Sequence, residues 1–255
     1  MHEQEECPGK YFYCIVRCRE PLELATRGIG ERGDKVYTLH YNDLAAVVSD
    51  SPAIAYDSSR RNMMAHTAVL EEVMREFTIL PVRFGIVAPD EKAIREQMLR
   101  RRYDELDRLL RGMEGKVELG LKTFWYEDVA LREIIEESPA IRDLRDSLAG
   151  RPAEETYYER IRLGELVEKA VNKKRDEDAE RILSRLRPLA CETRINKVIT
   201  ERMILNAAFL VECEREPEFD RAIQQMDAEM GQRLMFKYVG SAPPYNFVNI
   251  LIRWD

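Results

Sequence analysis

Two features of the sequence suggest chemistry: a glycine-rich hexapeptide, and a histidine on the apolar side of a helical pattern. Residues 28–33 read Gly-Ile-Gly-Glu-Arg-Gly, which is the spacing of the G-x-G-x-x-G motif. In nucleotide-binding proteins such glycines let the backbone approach a pyrophosphate at the N-terminus of the next helix. Here residues 35–39, Lys-Val-Tyr-Thr-Leu, form a strand pattern instead. The hexapeptide therefore indicates a flexible loop rather than a nucleotide site.

The histidine is His66, which lies among apolar residues that recur every three or four positions between residues 60 and 77. Burial on such a helix face can shift a histidine pKa and prepare the ring for acid–base or metal chemistry. Both roles need partners, but no H-E-x-x-H and no second helical histidine four residues away occurs. We therefore expect His66 to be a hydrogen-bonded core residue, with a polar contact to a partner as the alternative.

The other reactive side chains follow no catalytic pattern. The cysteines are odd in number and form no C-x-x-C, which predicts buried free thiols rather than a disulfide framework or a zinc site. They are Cys7, Cys14, Cys18, Cys191 and Cys213. The basic run within residues 169–175 is followed by acidic residues 176–178, which predicts a solvated, ion-paired helix face. No hydrolase, P-loop or kinase signature occurs. The sequence predicts neither an enzyme nor a cofactor.

Charge and hydropathy narrow the classes of partner. The 255 residues include 40 basic and 47 acidic side chains, which give a formal charge of -7 and an isoelectric point near 5.3. This balance disfavours binding to nucleic acid or anionic lipid. No apolar run approaches the roughly 18 residues that span a bilayer. Residues 1–6 include three glutamates, whereas a signal peptide would be basic and then apolar. We expect a cytoplasmic protein.

Strand and helix patterns alternate through the first part of the chain. The predicted elements are strands at residues 11–16, 35–41, 44–49 and 79–87, and helices at residues 60–77 and after residue 90. The two middle strands form a hairpin around Asn42-Asp43, which tolerate the positive φ of a tight turn. Pro81 favours a sheet edge because it cannot donate to a ladder. Asp90 is the predicted N-cap of the second helix. The residues between the first strand and the hairpin are expected to form a loop.

The later part has a second set of elements. Strands are predicted at residues 117–125, 189–199, 204–213 and from residue 234, and helices at residues 128–187 and 217–230. Ser138-Pro139 and Gly150-Arg151-Pro152 divide the long helical stretch. A proline-rich terminal strand closes the chain. The order resembles the βαββαβ of a ferredoxin-like sandwich.

The sequence thus predicts an α+β protein of two domains, residues 1–113 and 114–255. Each is expected to be a variant of a ferredoxin-like antiparallel sheet with helices on one face. In the first domain a loop replaces the first crossover helix. In the second, a helical insertion at about residues 128–187 enlarges the first helical layer.

Three segments resemble the gas vesicle protein F/L family. The first runs from His66 to the string Ile-Leu-Pro-Val-Arg-Phe-Gly at residues 79–85. The second, residues 115–122, has the E-x-x-x-K strand of that family in Glu118 and Lys122. The third, residues 240–247, is similar to its terminal G-P-W-P-P-Y-x-F, but Ser241-Ala242 stand where the family often has Pro-Trp. This departure removes a large aromatic anchor.

The resemblance implies a two-domain α+β protein needed to build gas vesicles, with no catalytic residue and no cofactor. It implies binding to the small shell protein and to other gas vesicle accessory proteins, and a location at the gas vesicle in the cytoplasm. Docking is expected on a sheet edge or in a groove between the predicted domains. The motif residues that could make this contact are Pro81, Arg83, Phe84, Gly85, Glu118, Lys122, Pro243, Pro244, Tyr245 and Phe247.

Two other classes of function stay open at this stage. Ferredoxin-like pairs often form ligand pockets, so a small-ligand sensor or an enzyme is one alternative. A pocket that joins His66, Arg83 and a carboxylate would favour it. The other alternative is an oligomeric scaffold unrelated to vesicles.

Overall fold

The computed structural model describes residues 9–52 and 54–254. The chain forms two compact units: the first runs to Glu118 and resumes at Ser241, and the second is Leu119–Gly240. The residues after Gly240 therefore group with the first unit, whereas the sequence placed them in the second domain. The expectations for Cys7 and the acidic start fall outside the described residues.

The first unit is built on an antiparallel sheet. Its strands are β1 (Gly9–Arg17), β2 (Glu23–Arg27), β3 (Lys35–Tyr41), β4 (Leu44–Ser51), β5 (Ile79–Pro81) and β6 (Val87–Ala88). The order is β2-β3-β4-β1-β5, and β6 also pairs with β1. The predicted β3–β4 hairpin is confirmed, with Asn42 at φ 54° in its turn. Strand β2 lies where a loop was expected. Its side chains alternate between exposed and half-buried positions, so its periodic signal in the sequence is weak.

Helices follow the sheet strands at two places in this unit. Helix α1 (Arg60–Met74) begins where the Ser59 hydroxyl accepts from the Asn62 N–H. Asp90 caps the next helical stretch as predicted, accepting from the Ala93 N–H. That stretch comprises α2 (Glu91–Ala93), a π-helix (Ile94–Arg100) and α3 (Tyr103–Met113). Gly115, at φ 68°, then permits the turn into the next strand.

The sheet of the first unit is covered by helices on both faces. One cluster packs Tyr11 and Tyr13 against Val69 and other residues of α1. The other packs Phe12 and Ile15 of β1 against the π-helix and α3. The prediction of helices on one face is therefore wrong for this unit. The reason is visible in β1, whose residues 11–16 are all fully buried, so both faces of the strand need cover.

The second unit has a four-stranded sheet and a large helical layer. Its elements are β7 (Lys116–Trp125), α4 (Glu127–Glu137), α5 (Pro139–Leu148), α6 (Tyr157–Leu186), β8 (Glu192–Ile195), β9 (Met203–Glu212), α7 (Glu216–Met230) and β10 (Leu234–Ala242). The sheet order is β10-β7-β9-β8. Helices α4, α5 and α6 form the predicted insertion, divided at the two predicted breaks. Strand β8 is much shorter than the expected 189–199.

Three finer expectations differ from the structure. The proline-rich terminal strand is not a strand, because the Pro244 carbonyl accepts from the N–H groups of Phe247 and Val248 in a turn. Cys191 and Cys213 are free but exposed, whereas Cys14 and Cys18 are buried as expected. The charged face of α6 is not solvated throughout, since Lys174 and Asp178 are buried.

Candidate functional site

The string Ile-Leu-Pro-Val-Arg-Phe-Gly at residues 79–85 forms the interrupted edge of the first sheet. Strand β5 pairs with β1, and the Val82 N–H donates to the Tyr13 carbonyl at 2.8 Å. The chain then leaves the ladder and returns at Ile86, whose carbonyl accepts from the Phe12 N–H at 3.0 Å. Gly85 turns the backbone at φ 87°. Arg83 is exposed on this excursion.

A chain of hydrogen bonds holds this edge through His66. The Gly85 N–H donates to Tyr11 Oη at 2.9 Å, and Tyr11 Oη lies 3.0 Å from His66 Nδ1. On the other side, His66 Nε2 lies 2.8 Å from Tyr245 Oη, which donates to the Val82 carbonyl at 3.3 Å. One assignment satisfies every group: Tyr11 donates to Nδ1, and Nε2–H donates to Tyr245. The chain begins and ends on backbone, so it fixes the edge in place.

The surroundings of His66 keep its ring neutral. The residue is 2% exposed, stacks on Tyr13 with ring centroids 5.6 Å apart, and meets the edge of Phe84. Burial lowers the pKa of His66 to about 4. Burial also raises the pKa of the Tyr11 and Tyr245 hydroxyls far above neutrality. These three hydrogen-bonded groups therefore carry no charge near pH 7. The prediction of a hydrogen-bonded core histidine is confirmed.

A buried carboxylate holds the terminal motif at a second point. Glu118, at the first-unit end of β7, is 5% exposed. Its Oε2 accepts from the Asn246 backbone N–H at 2.9 Å, and its Oε1 accepts from Asn246 Nδ2 at 2.6 Å. Burial raises the pKa of this carboxyl group, and the two Asn246 bonds act in the opposite direction. The second family motif is thus joined to the third by a bidentate contact.

The motif residues differ in what they contact. Gly85, Tyr245 and Glu118 are brought into the hydrogen-bonded arrangement just described. Phe84 and Phe247 are half-buried, Pro81 and Pro244 are buried, and Pro243 is half-buried. Arg83 and Lys122 are exposed, and Lys122 takes no part in these bonds. Tyr11 and Tyr13 were not singled out from sequence; their signal was a pair of hydroxyl-bearing side chains at alternate positions within the apolar run of residues 11–16.

The glycine-rich hexapeptide belongs to the same side of the sheet. Gly30 and Gly33 have positive φ values of 88° and 74°, and β3 rather than a helix follows them. The Ile29 N–H donates to Tyr13 Oη at 2.9 Å. The predicted loop is therefore confirmed, and it lacks the helix N-terminus that a pyrophosphate would need.

Within residues 9–52 and 54–254, no three histidine, cysteine, aspartate or glutamate side chains are placed to hold a metal ion. In the same ranges, no helix combines the length and the apolar character needed to cross a membrane.

Comparison with known proteins places the three motifs within one family match. The family model described as Gas vesicle synthesis protein GvpL/GvpF matches residues 9–249, a range that contains all three. The chain belongs to the GvpL/GvpF family. Its relatives include gas vesicle protein F of Dolichospermum flosaquae, which is 30% identical over 242 residues, covering 94% of this chain and 97% of that protein. Gas vesicle protein F of a Streptomyces species is 34% identical over 240 residues, 93% and 98% of the two chains.

The fold agrees with that of a solved GvpL/GvpF family member. The crystal structure of gas vesicle protein GvpF from Anabaena sp. PCC7120 matches with a TM-score of 0.84 and 28% identity, over 96% of this chain and 100% of that chain. The mixed α+β class predicted from sequence, with antiparallel sheets and helices, is thereby confirmed. The match indicates a role connected with gas vesicles.

Removal of the Tyr245 hydroxyl tests how much its hydrogen bonds stabilise this GvpL/GvpF family protein. Replacing Tyr245 with phenylalanine leaves His66 Nε2–H without its acceptor and the Val82 carbonyl without its donor. We expect the free energy of unfolding to fall by about 1–3 kcal/mol, measured by chemical denaturation. Tyr158, which is 81% exposed, is the matched control, and its replacement by phenylalanine should change stability by less than about 0.5 kcal/mol. Equal effects of the two substitutions would contradict the role of the hydroxyl.

Proposed function

We propose that the protein is a non-enzymatic accessory factor of gas vesicle assembly that acts in the cytoplasm and binds the small shell protein. Family membership supports the link to vesicles. The absence of charge on His66, Tyr11 and Tyr245 near pH 7 supports a structural use of the motif residues. Their polar atoms bond to one another and to backbone, which leaves the exposed part of the edge for a partner.

A physical need for such a factor follows from what a gas vesicle shell must do. Its inner surface must be apolar to exclude liquid water. Shell subunits before assembly therefore expose apolar patches and strand edges, which are the surfaces that aggregate. An acidic α+β protein with a fixed sheet edge is suited to hold such a subunit until it is added to the shell.

The proposal includes a ferredoxin-like arrangement for each of the two compact units. In the second unit, numbering the strands along the chain gives the sheet order 4-1-3-2, which supports the βαββαβ form. In the first unit, β5-β1-β4-β3 has the same order once β2 is set aside as an additional edge strand. The helical coverage of both faces there is an elaboration of this form.

One observation carries the docking proposal: Arg83 is exposed on an excursion that the structure fixes at both ends. Tyr11 holds the excursion at Gly85, and Tyr245 holds it at Val82. Because the backbone on both sides of Arg83 is already held, binding orders only the arginine side chain, which favours its use as a contact point. Arg83 also lies within the motif that resembles the family. The neighbouring Phe84 is half-buried and supports the edge from within.

Replacing Arg83 with alanine is expected to reduce capture of purified shell protein at least tenfold while leaving the thermal unfolding curve unchanged. The reason is that Arg83 is exposed and its side chain holds no element of the fold. Arg19, an exposed arginine outside the three motifs, is the matched control for loss of one positive charge. The measurement is a pull-down with immobilised variants. Equal capture by the Arg83→Ala variant and the parent protein would refute docking at this edge.

A further inference from the structure

The terminal segment, residues 243–254, begins with a turn and then lies along the first unit outside any helix or strand. From Val248 onward its side chains alternate. Val248 and Ile250 are buried in the apolar cluster around the π-helix and α3, and Ile252 and Trp254 pack against it. Asn249, Leu251 and Arg253 are exposed between them. This is the side-chain period of a β-strand, but residues 249–254 belong to no strand.

The groove that receives residues 248–254 contacts their apolar side chains and a backbone carbonyl. Arg102 Nη1 donates to the Leu251 carbonyl at 2.8 Å. A cleft of about 270 Å³ remains along the same stretch. It is lined by Gln97, Met98, Arg101 and Arg102 and by residues 251–254. The groove therefore accepts a backbone whose apolar side chains alternate, and open space remains beside its own segment.

We propose that this groove is a docking site for an extended segment of a partner protein whose apolar side chains alternate in the same way. The terminal segment occupies the groove as an internal substitute until the partner displaces it. The partner segment should share the side-chain pattern of the terminal segment that already lies there. The Arg102 contact reads a backbone carbonyl, so it suits any sequence with that alternation.

The identity of the partner rests on the proposed function. A shell subunit that builds one apolar surface and one wetted surface from a β-sheet carries strand segments with period-two alternation. Such a segment has the form that the groove already binds. Holding it there would shield its apolar side chains before assembly.

Because the terminal segment is tethered, it competes with any added peptide at an effective concentration on the order of millimolar. Weakening its hold should therefore open the groove. The variant Ile252→Ser/Trp254→Ser removes two inward side chains at the loosely filled end. The matched control, Leu251→Ser/Arg253→Ser, removes two outward side chains from the same stretch.

The probe is a fluorescein-labelled peptide with the sequence of residues 243–254, followed by fluorescence anisotropy against the full-length variants. We expect the inward variant to bind the peptide at least about tenfold more tightly than either the parent protein or the outward variant. Circular dichroism checks folding, and Ile252→Ala/Trp254→Ala serves as a milder version of the inward variant. A folded inward variant that does not bind the peptide, or equal binding by all three proteins, would overturn the groove as a docking site.

A second arm separates this inference from the proposed function. Purified shell protein should displace the labelled peptide from the inward variant. If the peptide binds but shell protein does not displace it, the assignment of the partner is overturned, while Arg83-dependent capture still tests the proposed function by itself. Exchange of the terminal segment between two copies, seen as a concentration-dependent dimer of the parent protein, would replace the partner by a second copy of the chain.

Discussion

Replacing Arg233 with methionine is expected to lower the free energy of unfolding by about 3–5 kcal/mol, the usual cost of breaking a buried ion pair from one side. Arg233 precedes β10 and donates to Glu133 of α4 at 2.8 Å and to Asp178 of α6 at 2.9 Å. Asp178 is 4% exposed and also accepts from Trp125 Nε1 at 2.9 Å. The substitution would leave the buried Asp178 carboxylate with the Trp125 indole N–H but without the guanidinium that neutralises its charge.

The network explains why the loss should be large. Arg233 bonds both carboxylates through several nitrogens, and Lys174 adds a contact to Glu133 at 3.1 Å. The carboxylates raise the pKa of Arg233, which keeps it charged. Four elements of the second unit, β7, α4, α6 and β10, meet at these side chains, so the loss of one cation loosens all of them.

A surface pair in the same unit gives the control. Arg185 Nη1 and Glu229 Oε2 lie 2.7 Å apart, but the two side chains are 44% and 52% exposed. Solvent screening limits such a pair to about 0–1 kcal/mol, so Arg185→Met should have little effect. Urea denaturation of the two variants measures the difference. A similar small loss for both would mean that the Arg233 network contributes no more than an exposed pair.

Local patterns in the sequence were sufficient for most elements of the fold. The β3–β4 hairpin followed from Asn42-Asp43 between two β-branched runs, and the α2 cap followed from Asp90. Each depends on contacts within a few residues, which a sequence displays directly. Strand β2 was missed because it is an edge strand with no fully buried face, so its periodic signal is weak.

The arrangement of the candidate site could not be predicted in the same way. His66 was expected in the core, but its two partners come from β1 and from the terminal motif, 55 and 179 residues away in sequence. Nothing in a single sequence pairs such distant residues. The same applies to Arg233, which lies in a turn and whose partners Glu133 and Asp178 are 100 and 55 residues away in sequence. Charged residues of α6 indicated a solvated face because intrahelical spacing says nothing about what packs against the helix.

Between pH 7 and pH 5, His66 alone is expected to lower the free energy of unfolding by about 2 kcal/mol. The pKa of His66 is lowered from 6.5 to about 4 by burial, so the unfolded chain takes up a proton near pH 6.5 that the folded protein does not bind until about pH 4. Stability is therefore intact above pH 6.5 and falls as the pH drops through this window. Protonation of Nδ1 would also put two donors, His66 and Tyr11, face to face.

The measurement is urea denaturation at both pH values for the parent protein and a His66→Gln variant. Glutamine carries no titratable proton, so the variant should be less stable at pH 7 but should lose about 2 kcal/mol less than the parent protein on acidification. The carboxylates are the same in both proteins, so their contribution cancels in the comparison. They include Glu118, whose raised pKa makes acidification stabilise the folded state. Parallel losses of stability in the parent protein and the His66→Gln variant would show that the fold does not hold the ring neutral. The hydrogen-bond chain from Gly85 to Val82 would then be assigned wrongly, because it requires an unprotonated Nδ1.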